Sequence, residues 1–567
     1  MRSQGYEAAW SRGLWTPNPK RDTKGSVRAA LLRSLPSIAV LAVATTLLTW
    51  GLGAVYLWQD EAATAVLAER MLRFGRPLAY DGRNLITMDS FSDEDAATID
   101  ERAGSTSAEI DYLVKRRDFK PDGTWIGQPW GQFAAAALSL SLLGHGTAAA
   151  RLPFAVAGIL TALLLYALAR RLFEDRAVAL LAAALLLSNA LWIVHARQCR
   201  YYAFSSLLLL ASVAAFSRWQ RGAKWSTALF IAVAWLYFQF DFGSFFPAMG
   251  VLFAIAIARD WRRPTRPLLT FAVLGALVAP FALFYEIGGR LRTPTTSLGV
   301  RFLLTSAKVN QYVIAFPLLL LAGWLVWHRR GPVPRRTMEV LVACLLVICA
   351  LMIWVPLVAP YPFHRYVVQA TPLAALLLAW AMCDVARTIV SSTRRPWLRM
   401  PFLAGAFATI AFTGTFSVPA TFAFLQEYPD PIVRPEVTGL LRETFRGRPD
   451  PNRDVIERLA PLLRPGDEIL VNYEDIPFMF YTDARVRGGV AAFRVEDRTA
   501  PPPRFLVLRR TVPFVHWPVF ARERDRYLWR ELATDAPDLP FGNNPDPTFF
   551  PLPTSPYRVF VAERVGP

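Results

Sequence analysis

The chain has 567 residues, 54% of them hydrophobic and only 19% charged, against roughly 25% charged in an average soluble domain. An aromatic content of 13% excludes disorder, and Cys199, Cys344, Cys349 and Cys383 have the spacing of neither a metal site nor a disulfide framework. Lys and Arg outnumber Asp and Glu by 62 to 44, a net charge of +18. In a soluble protein that excess would suggest nucleic acid, so the basic residues have to be located before they are interpreted.

In chain order, a basic segment 1–34 (Arg2, Arg12, Lys20, Arg21, Lys24, Arg28, Arg33) precedes the first apolar run. Runs long enough to cross a bilayer, about 20 residues each, then recur. They fall near 35–57, 152–169, 177–194, 202–217, 225–240, 243–258, 268–285, 309–327, 337–357, 366–386 and 401–420. The first has no small-residue cleavage site after it and reads as an uncleaved anchor. Segment Trp130–Gly144 is shorter and carries Gln132, Ser139 and Ser141, which suits an interfacial or re-entrant helix better than a span. Cys344 and Cys349 share one apolar run and read as small buried hydrophobes.

Short cytoplasmic loops are enriched in Lys and Arg. If segment 130–144 does not span, one set of loops collects Arg170, Arg171, Arg176, Arg218, Arg221, Lys224, Arg259, Arg262, Arg263, Arg266, Arg329, Arg330, Arg335, Arg336, Arg387, Arg394, Arg395 and Arg399, on the side of the basic N-terminus. The opposite loops hold only Arg197, Arg200, Arg290, Arg292, Arg301, Lys308 and Arg365. The expectation is therefore eleven spans, with the N-terminus cytoplasmic and the C-terminus outside. Most of the positive charge sets topology and faces anionic membrane lipid, so nucleic acid is not an expected partner.

Two outer regions remain. Region 58–129 begins with a helical pattern, Glu61 to Phe74, and has an acidic middle (Asp93, Glu94, Asp95, Asp100, Glu101). Region 426–567 is soluble in composition. Its expected elements are a helix at Asp454–Leu463, a strand at Glu468–Tyr473, a helix at Ile476–Tyr481, and strands at Arg504–Leu508 and Arg558–Ala562. The predicted fold is thus mainly α: a polytopic helix bundle over 35–425 with a small C-terminal α/β domain, 426–567. That domain has no glycine-rich phosphate loop.

Asp60 and Glu61 directly follow the first span. Carboxylates at a membrane edge are functional candidates, although acidic residues also favour the first turn of a helix. A second cluster, His195, Arg197, Arg200, Tyr201 and Tyr202, lies at the outward end of the third span, and a third, Tyr361, His364, Arg365 and Tyr366, at the outward entrance of the tenth. Arginine forks match phosphate oxygens, whereas headgroup anchoring explains aromatic and basic residues equally simply. Gln128 and Trp130 flank Pro129 at the mouth of the short segment, where Pro129 suits a helix start. Asp241 is either a second membrane-edge acid or a helix cap. The five histidines, His145, His195, His328, His364 and His516, show no metal-ligand spacing.

The runs WQDEAATAVLAERML, GQPWGQFAAAALSLSLLG, RLPFAVAGILTALLLYALARRLF, HARQCRYYAF and HRYVVQATPLAALLLAW, in that order, resemble the GT-C superfamily of polytopic glycosyltransferases. The most similar branches are the protein O-mannosyltransferases and the bacterial transferases that add aminoarabinose to lipid A. The resemblance implies a sugar donor on a polyprenyl phosphate and transfer with inversion to an extracytoplasmic glycan, lipid or protein hydroxyl. It makes Asp60 the general base, Glu61 its partner in the acidic pair, and Arg200, Tyr201, Arg365 and Tyr366 clamps on the donor phosphate. Residence in a bacterial inner membrane follows, with the C-terminal domain periplasmic. Where the aminoarabinose branch reads KPP this chain has Gln128-Pro129-Trp130, so a phosphate-binding lysine is missing. Where metal-dependent relatives carry a second acidic motif it has Arg197-Gln198-Cys199-Arg200, so neither metal nor cofactor is expected. A lipid-sugar flippase or transporter would also need many spans and outward basic clusters, and a membrane-anchored sensor or scaffold would be insensitive to Asp60.

Overall fold

The computed structural model describes residues 23–86, 118–290, 297–312, 316–328, 333–359, 363–412, 435–488, 503–510, 526–539, 542–543 and 555–566. The acidic stretch 93–101, Arg292 and Tyr361 lie outside them. Helix α1 (Thr23–Thr49) is followed by α2 (Gln59–Phe74), α3 (Gly131–Leu143), α4 (Thr147–Phe173), α5 (Arg176–Leu187) and α6 (Ala190–Ala196). The bundle continues with α7 (Tyr202–Gln220), α8 (Ser226–Phe240), α9 (Phe242–Arg259), α10 (Thr265–Phe284), α11 (Leu298–Tyr312), α12 (Phe316–His328), α13 (Arg335–Val358), α14 (Thr371–Thr393) and α15 (Arg399–Phe412).

Among the described residues, six helical segments are long and apolar enough to cross a membrane, or seven if the bent pair α5–α6 is one span. The other expected spans fall on shorter helices: the apolar part of α1 is Ser34–Thr49, α8 has 15 residues, and the run 309–327 is split between α11 and α12. The chain is a multi-pass membrane protein whose remaining apolar runs form helices below the usual span length. The expected interfacial segment is the 13-residue α3. It lies against α8 so closely that a Cβ on Gly131 would stand 2.5 Å from the Gln239 carbonyl oxygen. Cys344 is buried as expected, but Cys349 is exposed on α13, because an apolar helix in lipid need not bury every apolar side chain in protein.

The soluble part begins with α16 (Pro435–Arg446) and α17 (Pro451–Leu459). Strand β1 (Glu468–Val471) leads into α18 (Asp475–Tyr481), then β2 (Arg485–Arg487), β3 (Phe505–Leu508), β4 (Leu528–Glu531) and β5 (Phe560–Gly566). The sheet order is β2-β1-β3-β5-β4, with β1 parallel to β2 and β3, and β5 antiparallel to β3 and β4. The continuous apolar pattern of β1 and β3 buries Ile469, Leu470, Val471 and Phe505–Leu508. One apolar cluster runs from the bundle through Val455, Ile456, Phe478 and Phe480, so the two parts share a core.

Candidate active site

The site begins where α1 ends. Helix α2 starts at Gln59 with Asp60 and Glu61 in its first turn, and the Glu61 carboxylate turns back to accept from the Trp58 amide at 3.5 Å. The helix stops at Gly75, whose φ of 74° allows its amide to donate to the Met71 carbonyl at 2.9 Å. The acidic pair thus opens the helix, as the capping reading expects, and its two carboxylates face different surroundings.

Glu61 is fully buried. Arg151, in the second turn of α4, forks onto it through Nε at 2.8 Å and Nη2 at 2.5 Å, and the Cys199 amide donates to its Oε1 at 2.8 Å. Arg151 also donates to the carbonyls of Leu52 (3.0 Å), Val55 (2.8 Å) and Tyr56 (3.4 Å). Glu61 and Arg151 thus tie α4 to the end of α1, the start of α2 and the loop 197–201. The sequence signal for Arg151 was its position in an otherwise apolar helix.

Asp60 keeps 15% of its side chain exposed and meets two guanidinium groups: Arg200 Nη2 lies 3.5 Å and Arg365 Nη1 3.4 Å from Oδ2. These separations exceed the roughly 2.7–2.9 Å of a tight charge-assisted hydrogen bond. Arg200 is further held by the Asp60 carbonyl at 3.3 Å and Thr64 Oγ1 at 3.5 Å. The Nε–H groups of Arg200 and Arg365 are buried and have no acceptor among the described residues. Two cations of distant sequence are therefore held beside one carboxylate with donor capacity to spare, the arrangement expected at an anion site.

Local breaks in helix place them there. Asn189 caps α6 by accepting from the Trp192 amide at 2.8 Å, after a 71° bend from α5, and the chain then delivers Arg200 and Tyr201 ahead of α7. Arg365 sits on the 3₁₀ segment His364–Ala370 before α14, its guanidinium 5.5 Å from the Trp58 ring, 4.5 Å from Phe363 and 5.8 Å from Tyr366. Tyr201 lies 5.7 Å from the Arg200 guanidinium carbon and 4.4 Å from Tyr202, ring to ring. His195 is buried, edge-on to Tyr202 at 4.8 Å, with Nδ1 2.9 Å from the Leu191 carbonyl, and its ring centre is 6.4 Å from that of buried His364.

Other candidates are placed differently. Arg197 points to α1, where it donates to the carbonyls of Leu47 and Trp50, so it caps a helix end instead of joining Asp60. Asp241 caps α9, accepting from the Ser244 amide at 3.1 Å and from its hydroxyl. Trp130 donates through Nε1 to the Trp125 carbonyl at 2.8 Å, while its amide donates to Tyr285 Oη at 3.1 Å; Gln128 is half-buried two residues earlier. Among the described residues no three His, Cys, Asp or Glu side chains converge as metal ligands. Gln59, immediately before Asp60, was not singled out by its sequence context: its carboxamide donates to Asp475 Oδ1 at 2.6 Å and accepts from the Ile476 amide at 3.2 Å.

Residues 128–284 match the sequence family described as dolichyl-phosphate-mannose-protein mannosyltransferase. No curated protein matches the chain by sequence. The fold is similar to that of ArnT from Cupriavidus metallidurans, solved bound to undecaprenyl phosphate and in the apo state. In both comparisons identity is 14% and the TM-score 0.54, with 95% of this chain and 98% of ArnT covered for the bound form, and 94% and 98% for the apo form. An archaeal oligosaccharyltransferase, AglB from Archaeoglobus fulgidus, solved with an inhibitory peptide and a dolichol-phosphate, matches at 12% identity and a TM-score of 0.49, covering 84% of this chain and 69% of AglB. The resemblance to GT-C glycosyltransferases carried by the sequence motifs therefore holds at the level of family match and fold, and the architecture is of the ArnT-like GT-C type.

Proposed function

We propose that the protein is a metal-independent, inverting glycosyltransferase that moves a sugar from a polyprenyl phosphate to a hydroxyl of a glycan, lipid or protein acceptor outside the cytoplasm. The observation that carries this reading is the meeting of Asp60 with Arg200 and Arg365 at the end of the bundle that bears the soluble domain. The family match and the fold, shared with a protein solved with undecaprenyl phosphate, support the class of donor. Asp60 accepts the acceptor hydroxyl proton, the oxygen attacks the anomeric carbon, and the bond from that carbon to the phosphate oxygen breaks, releasing polyprenyl phosphate. Arg200 and Arg365 stabilise the charge that gathers on the phosphate, and Tyr201, Tyr202 and Tyr366 line the approach.

Charge bookkeeping supports the roles. Before transfer, two guanidinium groups face one carboxylate and a phosphodiester of one negative charge. Afterwards they face a protonated Asp60 and a doubly charged phosphate monoester. The sum is neutral in both states, so the reaction moves charge within the site and not into it. Orientation follows from the basic residues: Arg171, at the far end of α4 from Arg151, clusters with Arg218, Arg221 and Arg336. Under the positive-inside rule this supports a cytoplasmic reading of that end, and with it our proposal that Asp60 and the soluble domain face the periplasm of a bacterial inner membrane.

The test is Asp60→Asn, which keeps the side-chain volume and removes the base. General-base loss costs about 10²–10⁴ in rate, so transfer from undecaprenyl-phosphate-linked sugars extracted from bacterial membranes should fall by that factor while undecaprenyl phosphate still binds. Near-normal transfer by a folded Asp60→Asn protein refutes the assignment. Movement of lipid-linked sugar across liposomes without product would support a flippase instead.

A further inference from the structure

Open sheets with parallel strands bind ligands outside the strand C-termini, at the point where connections leave in opposite directions. In the soluble domain β2 lies on one side of β1 and β3 on the other, so that point lies between β1 and β3. Their C-terminal ends close on each other: Asn472 Nδ2 donates to the Arg509 carbonyl and the Arg509 amide to Asn472 Oδ1, both at 2.9 Å. Arg509 and Glu474, both fully buried, pair at 3.2 Å, and Arg509 also donates to Asn452 Oδ1.

This polar network continues into the membrane domain. Asn452 donates to the Leu57 carbonyl at 3.3 Å, and Asn543, whose amide donates to Glu474 at 3.1 Å, sends its side chain to the Tyr56 carbonyl at 3.2 Å. The Tyr56 amide donates to Asp450 Oδ2 at 2.7 Å, the Leu57 amide to Tyr481 Oη at 3.0 Å, and Arg453 donates to the Gly53 carbonyl at 3.1 Å. Tyr56 and Tyr481 stack with ring centres 3.8 Å apart. The segment 53–58 between α1 and α2 is irregular, and its backbone groups at a membrane edge need partners. Arg151 and Glu61 supply some of these partners, and a domain almost four hundred residues downstream supplies those of Gly53, Tyr56 and Leu57 named above, ending this series of contacts on Gln59, one residue before Asp60.

We propose that the soluble domain is a positioning domain: the polar network at the ends of β1 and β3 holds the chain's own segment 53–59 through Asn452 and Asn543, and Gln59 held by Asp475 fixes the direction of the Asp60 carboxylate. The consequence for rate rests on Asp60 being the base. Gln59 and Asp475 are positioning residues, because neither is placed on the reacting atoms. Their lever is geometry, where a misplacement of 1 Å costs about 10²-fold in rate.

The experiment uses the full chain in nanodiscs, with transfer from the membrane-extracted undecaprenyl-phosphate sugars, binding of undecaprenyl phosphate alone, and hydrogen exchange of peptides covering 53–62. Gln59→Ala and Asp475→Ala should each lower kcat about 10- to 100-fold with donor KM and undecaprenyl phosphate binding unchanged, and speed exchange across 53–62 about tenfold. The double variant should be no worse than Gln59→Ala, which already removes both the bond to Asp475 and the bond from the Ile476 amide, whereas Asp475→Ala removes only the first. Asp475→Asn, which keeps an oxygen for the Gln59 amide, should recover most of kcat. Gln59→Asn keeps the amide but shortens its reach, and it decides the matter by the same readouts if the alanine variants do not fold. A kcat within twofold of the parent alongside unchanged exchange, or losses that multiply in the double variant, overturns the proposal. If Asp60→Asn itself stays active, the base assignment fails, while exchange across 53–62 still decides whether the domain anchors the segment.

Discussion

Replacing Glu61 by Gln separates the two halves of the acidic pair. The substitution keeps the shape and the oxygen that accepts from the Cys199 amide, but leaves the buried Arg151 guanidinium without its counter-charge. Removing one partner of a buried ion pair costs about 3–5 kcal/mol. Arg151 retains carbonyl acceptors at Leu52, Val55 and Tyr56, which puts the expected loss at the lower end. A loss of about 3 kcal/mol is about two decades in the ratio of folded to unfolded protein at roughly 1.4 kcal/mol per decade. The assay is the monodisperse protein surviving a series of heating steps in detergent, with transfer activity expressed per surviving molecule. Glu61→Gln should be strongly heat-sensitive yet retain much more activity per molecule than Asp60→Asn. Replacing both partners by apolar residues, Glu61→Leu with Arg151→Met, should recover at least half of the lost heat resistance, because no charge is then stranded. A Glu61→Gln protein as heat-resistant as the parent but as inactive as Asp60→Asn would show that Glu61 takes part in the chemistry.

Two other outcomes follow from the same geometry. Arg365→Ala should raise the donor KM about 10- to 100-fold, as expected for losing a charge-assisted contact to phosphate of about 1.5–3 kcal/mol, with acceptor KM near the parent value; Arg365→Lys should recover only part, since it restores charge without the fork. An unchanged donor KM refutes the clamp. In the soluble domain, burial pushes the Glu474 carboxyl up from 4.5 to about 7, against the opposing pull of Arg509. A carboxyl that holds its proton more tightly folded than unfolded contributes stability present in full below about 4.5 and lost as pH rises through about 7. At about 1.36 kcal/mol per unit the loss is on the order of 3 kcal/mol. Hydrogen-exchange protection of β1 and β3 should therefore fall between about pH 4.5 and 7, and Glu474→Gln should flatten that dependence; a parent profile as flat as the variant's would exclude the titration of Glu474 as its cause.

Much of this architecture was legible because it depends on local pattern. Apolar runs fall on helices, and in the soluble part the strands β1, β3 and β5 and the helices α17 and α18 lie within a few residues of their expected places, since continuous apolar runs and turn residues mark them directly. Strand β2, Arg485–Arg487, and strand β4, Leu528–Glu531, were not foreseen: neither has a buried apolar run, and each is a strand only because a partner strand supplies its hydrogen bonds. The run expected as one span over 309–327 is instead divided between α11 and α12, neither of which reaches the usual span length.

The candidate site shows the limit more sharply. Arg197 and Arg200 are three residues apart, share a cluster of aromatic neighbours, and break the charge bias of the loops in the same way, so sequence alone gives them one role. The structure divides them. The bend before α6 brings the chain across the end of α1, where the carbonyls of Leu47 and Trp50 lack partners within their own helix and take the first arginine. The buried Glu61 then holds the chain at the Cys199 amide, one residue ahead of the second arginine, and directs Arg200 to Asp60. Glu61 therefore acts on the site without facing it: by neutralising Arg151 and fixing Cys199, it sets where the Arg200 guanidinium stands beside Asp60. An acidic pair in sequence becomes, in the fold, one carboxylate available for chemistry and one that holds its electrostatic partner in place.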